Sequence, residues 1–150
     1  MNTNTKAIYF DMDGTIADLY GVNGWLSVLA IFCVRPYLEA AALLNLSQLA
    51  RRLNRLQREE GYTIGIVSWS SKVTTTTYEE EVTIAKLHWL KTHLPSVQWD
   101  EIHIVPFGTP KEEVVDFPLG ILFDDTAEVR ETWKGAAYDV DNIIEILKRL

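Results

Sequence analysis

Four β-prone apolar residues, Ala7 to Phe10, run straight into Asp11-Met12-Asp13-Gly14-Thr15. An unbroken apolar run, rather than an alternating one, belongs to a strand buried on both faces, as in a parallel sheet covered by helices. Two carboxylates then fall where that strand leaves the sheet, which is where open α/β sheets bind their ligands. A spacing of two along extended backbone sends both side chains the same way. Gly14 permits conformations closed to other residues, and Thr15 offers an anion a hydroxyl and a backbone N–H. Carboxylates this close repel each other unless a metal ion neutralises them or one keeps a proton. The same residue types also suit a plain strand-ending turn, and only the rest of the chain separates the two readings.

The remainder alternates between helix and strand patterns. Leu46, Leu49, Ala50, Leu53 and Leu56 share one helical face, while Arg51, Arg52, Arg55 and Arg58 fall elsewhere and read as a solvated face. Gly61 stops that helix. Tyr62 to Ser68 follows as a second buried strand, closing in Ser68-Trp69-Ser70-Ser71-Lys72, and Thr74 to Thr77 reads as a loop. A helix with Glu79, Glu80 and Glu81 in its first turn runs to His93 or Leu94 before Pro95. Short strands are predicted at Ile102 to Pro106, at Leu119 to Phe123 and at Ala136 to Tyr138. Helices are predicted from Ala127 to Lys134 and after a cap at Asp139 or Asp141. This order predicts one α/β domain over residues 1–150. It would be a Rossmann-like three-layer α/β/α sandwich with a mostly parallel five-stranded sheet and right-handed crossovers. Trp25 to Val34 is about half the roughly 20 residues of a membrane span and reads as a buried helix or lid. With Arg35-Pro36 interrupting it, residues 19–35 form a candidate lid over the acidic site.

At 150 residues, 47% hydrophobic and 11% aromatic, the chain is expected to bury a sizeable core. A net charge of −7 disfavours nucleic acid and anionic membrane as partners, since both need clustered positive charge, and favours a small diffusible substrate. The one cysteine, Cys33, reads as a buried small hydrophobe in a protein of the reducing cytoplasm. The polar start, Met1 to Thr5, shows no secretory pattern.

Three strand ends thus carry polar groups suited to one site: Asp11 and Asp13, then Ser68, then Asp124 and Asp125, with Lys111 shortly before the last pair. In this order the chain resembles the haloacid dehalogenase-like hydrolase superfamily. Its phosphatases carry Asp-x-Asp-x-Thr after the first strand, Ser or Thr after the second, then Lys, then an acidic pair. Within that superfamily it looks most like the cytosolic 5′(3′)-deoxyribonucleotidase group. That likeness runs through Asp11-Met12-Asp13-Gly14 with Asp18 close behind, Lys86-Leu87-His88-Trp89-Leu90 running into His93-Leu94, and Leu122-Phe123-Asp124-Asp125.

The resemblance implies that Asp11 is a nucleophile that forms an aspartyl phosphate and that Asp13 is the general acid and base. It implies Mg²⁺, which fits oxygen ligands without a Cys or His cluster. Asp11, Asp13 through its backbone carbonyl, Asp124 and Asp125 would be the metal ligands. Ser68 would bond a phosphate oxygen, and Lys111 would neutralise charge on Asp11 and the transferring group. Lys72 competes with Lys111 for that role, and Lys111 is favoured because it precedes the acidic pair as the superfamily's lysine does. Thr15 and Trp69 are further substrate-binding candidates, and His88, His93 and His103 lack ligand spacing. The implied function is a Mg²⁺-dependent phosphatase of small phosphate monoesters, with nucleoside monophosphates as the leading class. The alternatives are a phosphatase of protein or nucleic-acid ends and a catalytically silent binding module that uses the Arg51 to Arg58 face.

Overall fold

A computed structural model describes residues 4–72 and 74–150. The first strand, β1 (Ala7–Phe10), has all four residues fully buried, as its unbroken apolar run requires. It lies between β4 (Thr63–Trp69) and β6 (Ile121–Phe123), parallel to both. Outside these lie β5 (Glu101–Val105) and β7 (Ala137–Tyr138), also parallel, so the five-stranded sheet has the order β5-β4-β1-β6-β7. The chain builds outward from β1 through β4 to β5, then restarts on the other side with β6. The carboxyl ends of β1 and β6 therefore flank a topological switch point, where α/β sheets open a crevice.

Side-chain alternation divides β1 between two cores. Ile8 and Phe10 join Ile64, Ile66 and Phe123 on one face, under α3 (Leu46–Glu60), α4 (Thr76–His93) and α6 (Ile143–Lys148). Ala7 and Tyr9 join Val67 and Leu122 on the other, under α5 (Ala127–Thr132) and residues 114–117. The leucine stripe of α3 docks as its spacing predicts, with Leu49, Leu53 and Leu56 buried, each contributing roughly 1.5–3 kcal/mol. Asn45 caps the start of that helix by accepting from Gln48 N, and Gly61 ends it at φ +74°. The predicted α/β architecture is the one observed, helices covering both faces of the sheet.

Several local expectations are corrected. Thr75 accepts a hydrogen bond from Tyr78 N at 3.1 Å and caps α4, so Thr76 and Thr77 are helical and not loop. Asp139 caps a short 3₁₀ turn, Val140–Asn142, and α6 starts only after it. Trp25 to Val34 is not a buried helix. Only Trp25–Ala30 is helical (α1), and Leu26 and Ile31 are 60% and 74% exposed. Pro36 does not close this segment but opens a further helix, α2 (Arg35–Glu39), because proline suits the first turn. The insertion therefore runs to Ala40, bracketed by β2 (Ala17–Asp18) and β3 (Ala41–Ala42), an antiparallel pair. Its Leu19, Leu29 and Tyr37 pack on Tyr78, Val82 and Ala85 of α4. Cys33 is half-buried rather than buried, and its carbonyl accepts from Tyr78 Oη at 2.8 Å. Among the described residues no helix is long and apolar enough to cross a membrane.

Candidate active site

The turn after β1 is wound around one carbonyl. Met12 O accepts from the backbone N–H groups of Thr15, Ile16 and Ala17 at 3.0–3.1 Å, and the buried Met12 side chain anchors the turn in the core. Gly14 sits at φ +80°, a conformation L side chains rarely adopt, and donates its N–H to Ala17 O. The turn lifts Asp11 and Asp13 above the strand end. Thr15 is buried, with its hydroxyl 3.3 Å from Asp11 Oδ2 and 3.5 Å from Asp125 Oδ1.

The end of β6 is fixed as firmly. Asp124 is fully buried, its Oδ1 accepting from Thr126 N at 2.9 Å and its carbonyl from Arg130 Nη1 at 2.9 Å. The Lys111 ammonium, itself buried, donates to Asp124 Oδ2 at 2.6 Å and to Asp11 Oδ1 at 3.1 Å, bridging the two strand ends. Carboxylate oxygens of Asp11, Asp124 and Asp125 lie within 4.8 Å of one another, close enough to share one cation. The Asp13 carboxylate is not part of that group, which leaves only its backbone for the ligand role the sequence reading gave it.

Lys111 reaches this position from a loop tied down at several points. Trp69 Nε1 donates to Thr109 O at 2.7 Å, and the Trp69 ring centre lies 5.2 Å from the Lys111 ammonium. Beyond it, Phe117 N donates to Tyr9 Oη at 3.1 Å and Asp116 N to Glu101 Oε1 at 3.0 Å. Tyr9 Oη in turn donates to Glu101 Oε2 at 2.6 Å, and His103 Nε2 bonds Glu101 Oε1 at 2.8 Å. His103 thus belongs to the support of the loop, and His93 stacks on Trp89 at 4.3 Å. Lys72, the competing lysine, is exposed at the rim, 5.7 Å from the Phe107 ring centre.

Burial dominates the electrostatics. It raises the pKa of Asp13, the negative charge of Asp11 adds to this, and Lys86 opposes it without winning. Asp124 is raised by burial and by Asp11. Asp125 is pushed up to about 7, first by burial and then by Asp11. Burial alone would lower the Lys111 pKa, but Asp11 and Asp124 outweigh it and hold the ammonium firmly charged.

Sequence reading missed Lys86 as a site residue. It is 1% exposed, and its ammonium contacts Asp13 Oδ2 at 2.8 Å, Ser68 Oγ at 2.9 Å and Trp69 O at 2.7 Å. The available signal was its place among the buried Val82, Ala85, Trp89 and Leu90 of α4. Ser68 lies at the end of β4 as expected, but it is buried under Lys86 and outside the cavity lining. Ser70 and Ser71 line the cavity instead, and Ser70 Oγ is buried without a hydrogen-bond partner among the described residues.

Above the carboxylates opens a cavity of about 340 Å³. Asp11, Asp13, Asp125 and Lys111 form its floor, and its walls include Tyr20, Trp25, Leu26, Tyr37, Trp69 and Phe107. Tyr20 and Trp25 meet edge-on at 5.0 Å, and Trp69 and Phe107 lie 4.8 Å apart.

No protein-family model and no curated protein sequence matches the chain. Solved structures do. A D,D-heptose 1,7-bisphosphate phosphatase from Burkholderia thailandensis aligns with a TM-score of 0.54 at 15% identity, over 97% of each chain. The enzyme of the same name from B. bronchiseptica, complexed with magnesium and phosphate, aligns with a TM-score of 0.53 at 13% identity, also over 97% of each chain. The chain has their fold. At these identities the likeness carries the architecture.

Proposed function

We propose that the chain is a Mg²⁺-dependent phosphomonoesterase of the haloacid dehalogenase-like type that works through an aspartyl phosphate. The observation that carries this reading is the Lys111 ammonium bridging Asp11 and Asp124 at the cavity floor, with Asp125 beside them. The three carboxylates fit a hard divalent cation, which would offset what raises the pKa values of Asp124 and Asp125, burial first and then the negative charge of Asp11. Asp11, Asp124 and Asp125 would hold Mg²⁺, which supplies charge neutralisation to the phosphoryl group. The solved neighbour that contains magnesium and phosphate supports the same reading.

In the first step Asp11 attacks phosphorus, the ester P–O bond breaks, and Asp13 gives its proton to the leaving oxygen. The raised pKa of Asp13 suits a carboxyl that must arrive protonated. In the second step the Asp13 carboxylate takes a proton from water as that water attacks phosphorus, and the bond to Asp11 breaks to release phosphate. Lys111 holds the nucleophile in place and offsets charge on the phosphoryl oxygens.

The walls point to the substrate class. Aromatic and aliphatic side chains dominate, and Lys72 and Lys111 are the cations among the described lining residues. A second phosphate, such as a sugar bisphosphate carries, would find only the exposed Lys72. A monoester with a planar or apolar leaving group fits better, which supports nucleoside monophosphates and the nucleotidase-like reading. A panel of phosphate esters assayed with Mg²⁺ and with EDTA tests this. Turnover that requires Mg²⁺ and favours nucleoside monophosphates is expected, and full activity in EDTA with no retained metal would overturn the site.

A further inference from the structure

The most deeply buried cation of the site is not Lys111 but Lys86, which α4 carries in from the opposite side. Lysine is almost never buried to this degree unless paired. All three ammonium protons have acceptors: Ser68 Oγ, Trp69 O and Asp13 Oδ2, at 2.9, 2.7 and 2.8 Å. The Tyr37 ring of the insertion lies 5.3 Å away and covers this group.

Two of these contacts tie α4 to the end of β4. A strut between those elements needs no charge, and a well-packed apolar side chain would avoid the desolvation cost. The third contact crosses to the turn after β1 and takes one oxygen of Asp13. Lys111 meanwhile serves Asp11 and Asp124. The two buried lysines therefore divide the carboxylates between them.

We propose that Lys86 is the positioning residue of Asp13, pinning Oδ2 to the end of β4 so that Oδ1 faces the ester oxygen that leaves. The assignment rests on the phosphatase reading. Lys86 itself transfers no proton. When the ester P–O bond breaks, the proton passes from Asp13 to the departing oxygen, and Lys86 stays an ammonium facing the carboxylate left behind.

The test compares Lys86→Met with the parent on 4-nitrophenyl phosphate, whose leaving group needs little protonation, and on an alkyl phosphate, whose leaving group needs it. kcat/KM is the quantity to read, because it ends at the first irreversible step, the departure of the alcohol. On the alkyl ester it is expected to fall at least about 30-fold, and on the aryl ester less than about threefold, since acid assistance is worth roughly 10²–10⁴-fold where it is needed. KM for the two esters should change little. In an Asp13→Asn background Lys86→Met should add nothing. Should the methionine variant fail to fold, Lys86→Arg keeps the buried charge but not the three contacts, and the same split is expected. Equal losses on both esters, or a further loss in the Asp13→Asn background, overturn the assignment of Lys86 alone. A parent that hydrolyses neither ester in Mg²⁺ overturns the phosphatase reading itself.

Discussion

Gly14 lies directly against Asp125: a Cβ built on Gly14 would collide with the Asp125 carboxyl group. Gly14→Ala is therefore strained twice, by φ +80° and by displacement of a proposed metal ligand. The backbone alone should cost about 1–2 kcal/mol of stability. Gly61 supplies the control, since it has φ +74° and nothing within 4 Å of its Cβ position. Gly61→Ala is expected to lower the melting temperature similarly but to leave Mg²⁺ affinity unchanged. Gly14→Ala should weaken that affinity at least about tenfold, as disturbed metal-site partners commonly do. Calorimetric titration with Mg²⁺ reads the difference.

Lys111→Met should destabilise the metal-free protein by about 3–5 kcal/mol, the usual effect of leaving a buried ion pair half-made. The effect should be larger at pH 8 than at pH 5.5, because Asp124, which Lys111 neutralises together with Asp11, has its pKa raised by burial and takes up a proton more readily at the lower pH. Denaturant unfolding in EDTA at both pH values checks this, and a loss independent of pH would argue against Lys111 as their neutralising group.

Asp125 gives a pH dependence with a definite sign. Its pKa rises from 3.8 to about 7 on folding, so between those values the folded chain binds more protons than the unfolded one. Stability in the absence of metal must then fall as pH rises through this window, and the contribution is gone above pH 7. Saturating Mg²⁺ competes with the proton and should flatten or reverse the slope. Melting temperatures from pH 5 to 8, in EDTA and in Mg²⁺, display both trends.

Asp11→Asn should fold normally and lose essentially all turnover, because an amide cannot form the acyl phosphate, and trapping should label Asp11 in the parent. Asp13→Asn should still be labelled by an aryl phosphate but should turn over at least about 100-fold more slowly, as loss of a general acid and base implies. Near-parental rates in either variant would assign the chemistry elsewhere.

Trp25 and Trp69 both line the cavity, but Trp69 also donates a hydrogen bond to the loop that carries Lys111, while Trp25 packs edge-on against Tyr20. Base stacking worth about 1–3 kcal/mol would make kcat/KM for a nucleoside monophosphate roughly 5- to 150-fold greater than for the matching sugar phosphate. Trp25→Ala should erase most of that gap while sparing a small aryl phosphate. Trp69→Ala should harm both, through Thr109 and Lys111. Equal kcat/KM for the nucleotide and the sugar phosphate would leave a general phosphatase.

The strands β1 and β6 were legible because they are unbroken apolar runs, and the carboxylates because they stand where those runs stop. Lys111 was legible only through the superfamily resemblance, as a lysine that precedes the acidic pair. Lys86 was not, because the helical spacing that sets it beside Val82, Ala85, Trp89 and Leu90 does not by itself say which face of α4 is buried. Which residue a helix turns inward is decided by the sheet it meets. Ser68 shows the same limit, since its position at a strand end was readable and its cover by Lys86 was not. The extent of the insertion was misjudged because Pro36 can end one helix or begin the next, and only the pairing of Ala17 with Ala42 decides.

That pairing has a consequence for descent with modification. The insertion leaves and rejoins the domain through two adjacent backbone segments, so its ends stay one strand spacing apart whatever lies between them. Closing a longer excursion across the same clasp costs only about 0.6 kcal/mol for each doubling of its length. Asp11, Lys111, Asp124 and Asp125 all lie outside the bracketed stretch. Segments of quite different size could be grafted between Asp18 and Ala41, changing which molecules reach the floor while the acidic machinery below stays the same.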